Sequence, residues 1–114
     1  MTILSVVAGI TVKDFPQSLA WYERLFGPPG DAQPLQGDAE WRLCEGGGLQ
    51  LYHNEHQSDP SFVVLVVSSL THQLSQLEEK GIPAGPIQTI AAGKFATVTD
   101  PEGNQITFVQ PTNL

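Results

Sequence analysis

The sequence repeats one pattern twice, and the two copies are offset by 55 residues. Both copies place apolar residues at positions i, i+4 and i+7, the one-sided stripe of an amphipathic helix. The stripe residues are Phe15, Leu19 and Tyr22 in the first copy and Leu70, Leu74 and Leu77 in the second. An internal repeat constrains the architecture before any single element does, so the 114 residues are predicted to form two similar units.

Both predicted helices have matching start and stop signals. Asp14 and Ser69 precede the stripes, and their side-chain oxygens suit the N-cap, where they accept free backbone N–H groups. Gly27 and Gly81 follow the stripes, and glycine ends helices readily because it adopts positive φ without a Cβ penalty. The helices are therefore predicted between these residues.

Apolar, β-branched runs and turn-rich segments surround each helix and predict short strands. The predicted strands are 4–12, 32–36, 40–44 and 49–53 in the first copy, and 61–67, 87–90, 95–99 and 105–110 in the second. The segment Asp100–Pro101–Glu102–Gly103–Asn104 is typical of a turn before the last strand. The order predicts an α+β fold in one domain, 1–114, with tandem βαβββ modules at 1–56 and 60–114.

Charge and composition exclude several classes of partner. Five basic and twelve acidic residues give a net charge of −7, and no basic patch is present for nucleic acid. The longest apolar run has six residues, against about 20 needed to span a bilayer, and the first residues indicate a strand rather than a signal peptide. Cys44 is the only cysteine, which favours a reducing, cytoplasmic setting, and its thiol is expected to be buried in a strand.

Two segments resemble the vicinal oxygen chelate superfamily, which includes glyoxalase, bleomycin-resistance-type binding proteins and extradiol dioxygenases. They are 12–22, followed by Gly27, and 100–106 (Asp-Pro-Glu-Gly-Asn-Gln-Ile), and the resemblance covers essentially the whole chain. The resemblance implies two curved mixed sheets around a cleft. It also implies a homodimer, which would cover sheet edges left by the two modules.

Metal-dependent members of that superfamily bind a divalent ion through four side chains, two from each module. The corresponding positions here are Val7, Gln50, Phe62 and Thr107. None is histidine, glutamate or aspartate, and an amide with a hydroxyl is a poor donor set for a first-row ion. We therefore predict no metal, no other cofactor and no catalytic residue.

The same positions are predicted to line a pocket for a small organic molecule. Gln50 and Tyr52 alternate with Leu49 and Leu51, so they should share one face of a strand. The predicted ligand-binding residues are Val7, Gln50, Tyr52, Phe62, Thr107 and Trp41. The pattern leaves open whether Trp41 or Arg42 faces the cleft, and whether these residues instead pack a core.

These observations lead to a primary hypothesis of a metal-free, non-catalytic protein that sequesters an aromatic or cationic compound. One alternative is a metal-dependent lyase or dioxygenase that uses shifted ligands. His53 and His56 would be candidates for it, although at i, i+3 they share a face only on a helix. Another alternative is an interaction module whose pocket accepts side chains of a partner protein.

Overall fold

The computed structural model describes residues 1–33, 35–56 and 59–112. Its contacts divide the chain into two compact units, Met1–Ser61 (unit 1) and Phe62–Leu114 (unit 2). Each unit has one helix and one four-stranded mixed sheet, which confirms the predicted α+β fold of two βαβββ modules. Pro34, in the predicted strand 32–36, and residues 57–58, in the predicted break between modules, lie outside the described residues.

In unit 1 the first strand pairs with the last strand. Its elements are β1 (Val6–Val12), α1 (Phe15–Phe26), β2 (Asp31–Gln33), β3 (Asp38–Cys44) and β4 (Gly47–His53). The strand order is β1-β4-β3-β2, in which β1 is parallel to β4 and the other pairs are antiparallel. The short β2 covers only the start of the strand predicted at 32–36.

Unit 2 repeats this topology. Its elements are β5 (Phe62–Val66), α2 (Leu70–Glu79), β6 (Gln88–Ile90), β7 (Gly93–Thr99) and β8 (Gln105–Pro111). The strand order is β5-β8-β7-β6, again with the first and last strands parallel. The remaining pairs are antiparallel, as in unit 1.

The helices begin and end at the predicted residues. Asp14 Oδ1 accepts from the Gln17 N–H at 3.1 Å, and Ser69 Oγ accepts from the His72 N–H at 3.2 Å. Each bond satisfies a backbone donor that has no partner inside the helix. After the helices, Gly27 and Gly81 have φ values of +87° and +70°, which explains why glycine follows both stripes.

Each unit buries one face of its sheet, since α1 packs on β3 and β4, and α2 packs on β7 and β8. The buried residues on the sheet side of unit 1 are Ile10, Val12, Ala39, Trp41, Leu49 and Leu51, and those of unit 2 are Ala96, Val98, Ile106 and Phe108. The helices contribute buried side chains that include Tyr22, Leu25, Leu70 and Leu77. Among the described residues, no helix is long and apolar enough to cross a membrane.

The predicted turn between β7 and β8 is closed by one carboxylate. Asp100 Oδ1 accepts from the N–H groups of Glu102 and Asn104 at 2.8 and 2.9 Å, and Oδ2 accepts from Asn104 Nδ2 at 2.8 Å. Gly103 supplies the positive φ of +90° that the turn requires. Asp100 and Asn104 are both buried, so these bonds fix the loop at the end of the sheet.

Candidate functional site

The face of the unit 1 sheet that α1 does not cover is here called the open face of unit 1. Its side chains alternate with the core residues along each strand, as the period of a β-strand requires. Its members are Val7, Gly9, Thr11, Asp31, Asp38, Glu40, Arg42, Gln50 and Tyr52. Three of the predicted ligand-binding residues, Val7, Gln50 and Tyr52, therefore share one surface.

The register places a polar row across the centre of this face. Gly9 on β1 pairs with Gln50 on β4, which pairs with Glu40 on β3, and Glu40 pairs with Asp31 on β2. Asp38 lies on the same face, two positions before Glu40 along β3. Carboxylates concentrated on one surface make its electrostatic potential negative. Among the described members of this face, one, Arg42, is a cation.

Tyr52 leans from β4 across its neighbour β1. A Cβ atom built on Gly9 would lie 3.3 Å from Tyr52 Cε1 and 3.8 Å from the hydroxyl oxygen. The ring therefore lies over the Gly9 backbone, and Tyr52 remains 39% exposed. It presents an aromatic surface beside Gln50.

Trp41 does not lie on the open face, so its inclusion among the predicted ligand-binding residues is wrong for this face. Its side chain is 3% exposed on the helix side of β3, and its Nε1–H donates to the Gly27 carbonyl oxygen at 2.9 Å. Its ring centroid lies 6.1 Å from that of Tyr22 and 6.2 Å from that of Phe26. A large apolar ring is more stable in this aromatic cluster than on a surface. The next residue of β3, Arg42, lies on the open face instead.

A depression lies at one end of the open face of unit 1. It has a volume of about 440 Å³ and is lined by Gly9, Gln36, Gly37, Asp38, Gln50, Tyr52 and His53. Among these described lining residues there is one carboxylate and no lysine or arginine. The depression thus combines an aromatic ring, two amides and an anionic group, which is a suitable set for a polar aromatic ligand.

The corresponding open face of unit 2 is apolar and hydroxylic. Its members include Phe62, Val64, Val66, Phe95, Thr97, Gln105, Thr107 and Val109, none of which is charged. Phe62 is 74% exposed. The β5–β8 register places the predicted site residues Phe62 and Thr107 on this face. The hydroxyls of Thr97 and Thr107 lie 2.8 Å apart in a hydrogen bond.

The four positions that correspond to metal ligands in the superfamily do not fit a divalent ion. Val7 and Phe62 have no donor atom, and the Thr107 hydroxyl already shares a hydrogen bond with Thr97. Gln50 contributes only an amide. Within the described ranges, no three histidine, cysteine, aspartate or glutamate side chains are grouped so that they could hold a metal.

His53, the last residue of β4, and His56, in the loop after it, make contacts within their own segment. His53 Nε2 lies 3.9 Å from Glu55 Oε1, and the His56 N–H donates to Asn54 Oδ1 at 2.9 Å, forming an Asx turn. His56 and Glu55 are exposed. These contacts connect residues of the loop after the strand.

Sequence reasoning missed Gly9, Asp38 and Glu40. The alternation that predicted Gln50 would also have found Glu40, once Trp41 and Ala39 were assigned to the core. Cys44 was expected to be buried, but it is exposed, in alternation with the buried residues of β3 and in line with Glu40 and Arg42.

Comparison with known proteins agrees with this arrangement of two βαβββ units. Residues 3–108 match the profile of the Glyoxalase/Bleomycin resistance protein/Dioxygenase superfamily. A glyoxalase/bleomycin resistance protein from Catenulispora acidiphila DSM 44928 is 33% identical, with 94% of this chain and 97% of that chain covered and a TM-score of 0.83. Comparison with curated protein sequences gives no match.

Two more distant solved structures share the fold. A bleomycin-binding protein complexed with bleomycin is 17% identical, with 93% and 97% of the two chains covered and a TM-score of 0.77. TnmS3, an antibiotic binding protein from Streptomyces sp. CB03234, is 21% identical, with 98% and 100% covered and a TM-score of 0.76. The profile match and the C. acidiphila structure show that this chain belongs to the glyoxalase/bleomycin resistance protein/dioxygenase superfamily.

Proposed function

We propose that this protein binds and sequesters a small aromatic compound, neutral or cationic, without a metal and without catalysis. The observation that carries the proposal is the open face of unit 1, where an exposed Tyr52 ring lies beside Gln50 and a depression of about 440 Å³. Aromatic rings supply dispersion and stacking, and amides orient the polar edges of a ligand. The antibiotic-binding and bleomycin-binding neighbours make an organic ligand of this kind a reasonable choice.

Exposed apolar side chains on unit 2 support the proposal independently. Phe62, Val64 and Val66 lie exposed in one row of β5. Contiguous apolar surface is uncommon on a monomeric protein unless it binds something. We propose Phe62 and Thr107 as ligand-binding residues of unit 2, and Val7, Gln50 and Tyr52 as those of unit 1.

Absence of a metal is the part of the proposal that separates it from the lyase or dioxygenase alternative. The side chains of Val7 and Phe62 offer no donor atom, and the Thr107 hydroxyl already shares a hydrogen bond with Thr97, so these positions do not form a ligand set. Protein purified without chelator is expected to contain far less than one equivalent of zinc, nickel, iron or manganese by elemental analysis. One equivalent per chain that disappears in His53→Ala or His56→Ala would favour the enzyme.

The proposed assembly is a cytoplasmic homodimer. Strands β1 and β5 lie at sheet edges, where a second copy of the chain can pair. The single cysteine is consistent with a reducing compartment. Light scattering at micromolar concentration should give about twice the chain mass of 12.3 kDa, and the mass of one chain would reject the dimer.

Binding is tested by calorimetric titration with bleomycin and with planar aromatic compounds. Saturable heat is expected with at least one of them, and weaker binding is expected in Tyr52→Ala and Gln50→Ala. Calorimetry is preferable to tryptophan fluorescence, because Trp41 is buried against α1 and is a poor reporter of the open face. No saturable binding to any of these compounds would reject the proposal.

A further inference from the structure

Gly9 lies in the interior of the edge strand β1, although glycine at such a position weakens a strand. Its backbone does not require glycine, since Gly9 is not among the residues with positive φ. The reason lies in what a side chain would meet. A methyl group at this position would lie 3.3 Å from Tyr52 Cε1, so the missing side chain leaves space for the tyrosine ring.

Unit 2 has valine, Val64, at the position equivalent to Gly9. Gly9 pairs with Gln50 in unit 1, and Val64 pairs with Thr107 at the matching place in unit 2. The next residue on the same face is Tyr52 in unit 1 and Val109 in unit 2. Glycine is therefore found where an aromatic ring has to be seated, and a β-branched residue where it does not.

The ring that Gly9 seats lies in the lining of the depression, together with the carboxylate of Asp38 and the amide of Gln50. We propose that this depression is the subsite for a flat, cationic group of the ligand, with Tyr52 as the stacking surface, Asp38 as the counter-charge and Gly9 as the positioning residue. This proposal rests on the proposed function, because it names the ligand class and part of the site.

Two physical effects favour a cation here. The face of an aromatic ring attracts cations, and the gain is larger where water is partly excluded. Asp38 is half-buried, and the lining of the depression contains no lysine or arginine within the described chain. Glu40 lies on the same face two positions further along β3, and the net charge of −7 adds a general attraction for cations.

The experiment uses two probes of nearly identical shape, N-methylacridinium and acridine, at a pH where acridine is uncharged. Calorimetry is expected to show N-methylacridinium binding about tenfold more tightly than acridine to the wild-type protein. Asp38→Asn should remove most of that difference by weakening only the cation, about fivefold. Equal affinity of both probes for the wild-type protein would overturn the subsite while leaving the binding function intact.

Gly9→Ala tests the positioning role. It should weaken both probes by about fivefold, because the added methyl displaces the ring of Tyr52. The matched control is Gly30→Ala, where the nearest heavy atom to the new Cβ is the Glu40 carbonyl oxygen at 3.8 Å, and no change in affinity is expected. Unchanged binding in Gly9→Ala would overturn the positioning role.

A double-mutant cycle separates positioning from a general effect on the fold. In a Tyr52→Ala background there is no ring to displace, so Gly9→Ala should cause no further loss of affinity. An equal loss in both backgrounds would overturn the role of Gly9. If neither probe binds the wild-type protein and bleomycin also gives no heat, the proposed function fails and the subsite fails with it.

Discussion

The two sheets are alike on the side that faces a helix and different on the other side. The helix sides of β4 and β8 present buried aliphatic and aromatic residues, such as Leu49 and Leu51 in one and Ile106 and Phe108 in the other. On the open faces, Glu40 and Gln50 occupy the row that Thr97 and Thr107 occupy in unit 2. The repeat is therefore kept where each unit forms its core and changed where it does not.

This difference reflects what each side of the sheet packs against. Replacing a core residue loses packing, so both copies keep apolar residues under their helices. An open position can change from threonine to glutamate without disturbing a core. The acidic and aromatic face of unit 1 and the apolar face of unit 2 thus present different surface chemistry on one framework.

The largest expected effect is on the free energy of unfolding, and it distinguishes two phenylalanines on opposite faces of the unit 2 sheet. Phe108→Ala should lower the free energy of unfolding by about 3 to 5 kcal/mol, because it leaves a cavity under α2. Phe62→Ala should change it by no more than about 0.5 kcal/mol, since the side chain is mainly exposed. Urea unfolding of both variants measures the difference. A comparable loss in Phe62→Ala at low protein concentration would mean that the open face is buried within the chain.

A smaller difference in stability is expected between variants in the two turns that connect the last two strands of each unit. Asp100→Ala removes the acceptor of three hydrogen bonds and should destabilise the protein by about 2 to 3 kcal/mol. Glu45→Ala, in the exposed turn between β3 and β4, should change stability by no more than about 0.5 kcal/mol. Thermal and urea unfolding check both. Equal effects would show that the two turns contribute alike.

The hydrogen-bonded hydroxyls of Thr97 and Thr107 are expected to contribute still less to the free energy of unfolding. Thr107→Val leaves Thr97 without its 2.8 Å partner and should lower the free energy of unfolding by about 1 kcal/mol. The double variant Thr97→Val/Thr107→Val should recover most of the loss, because no unpaired hydroxyl remains. Urea unfolding of the three variants decides this. No recovery in the double variant would show that the pair does not act as a unit.

The smallest expected effect is on the association rate, and it compares a cationic with an uncharged probe at the acidic open face of unit 1. The rate for N-methylacridinium should fall as salt is raised, because the Debye length shortens from about 30 Å at 0.01 M to about 10 Å at 0.1 M. The rate for acridine should stay constant. Glu40→Gln should reduce the salt dependence, and stopped-flow measurements test it. A salt dependence equal for both probes would contradict steering by the acidic face.

Most of the fold could be predicted because its signals are local and occur twice. The stripes that begin at Phe15 and Leu70, their caps and the turn at Asp100 each depend on nearby residues. The division into two mixed sheets followed from the repeated order and the resemblance, whereas the strand order within each sheet came from the structure. The short β2 and the irregular pairing at Cys44 were less accessible, because edge strands and register shifts have weak sequence signatures.

The site was only partly predictable, for a different physical reason. Alternation placed Gln50 and Tyr52 on one face correctly, but it could not decide which side of β3 faces α1. Trp41 was resolved by contacts distant in sequence, namely the Tyr22 and Phe26 rings and the Gly27 carbonyl. Gly9 was missed because its significance lies in a cross-strand approach by Tyr52, which no single strand pattern reveals.

The parallel pairing of first and last strands has a consequence for how the chain acquires its structure. In both units the opening strand finds its neighbour only at the end of the unit, since β1 pairs with β4 and β5 with β8. Such non-local pairings slow folding, because loop-closure entropy is lost before the contacts form. During synthesis from the N-terminus, the complete sheet sequence of unit 1 has been made once β4 is translated, before any of unit 2.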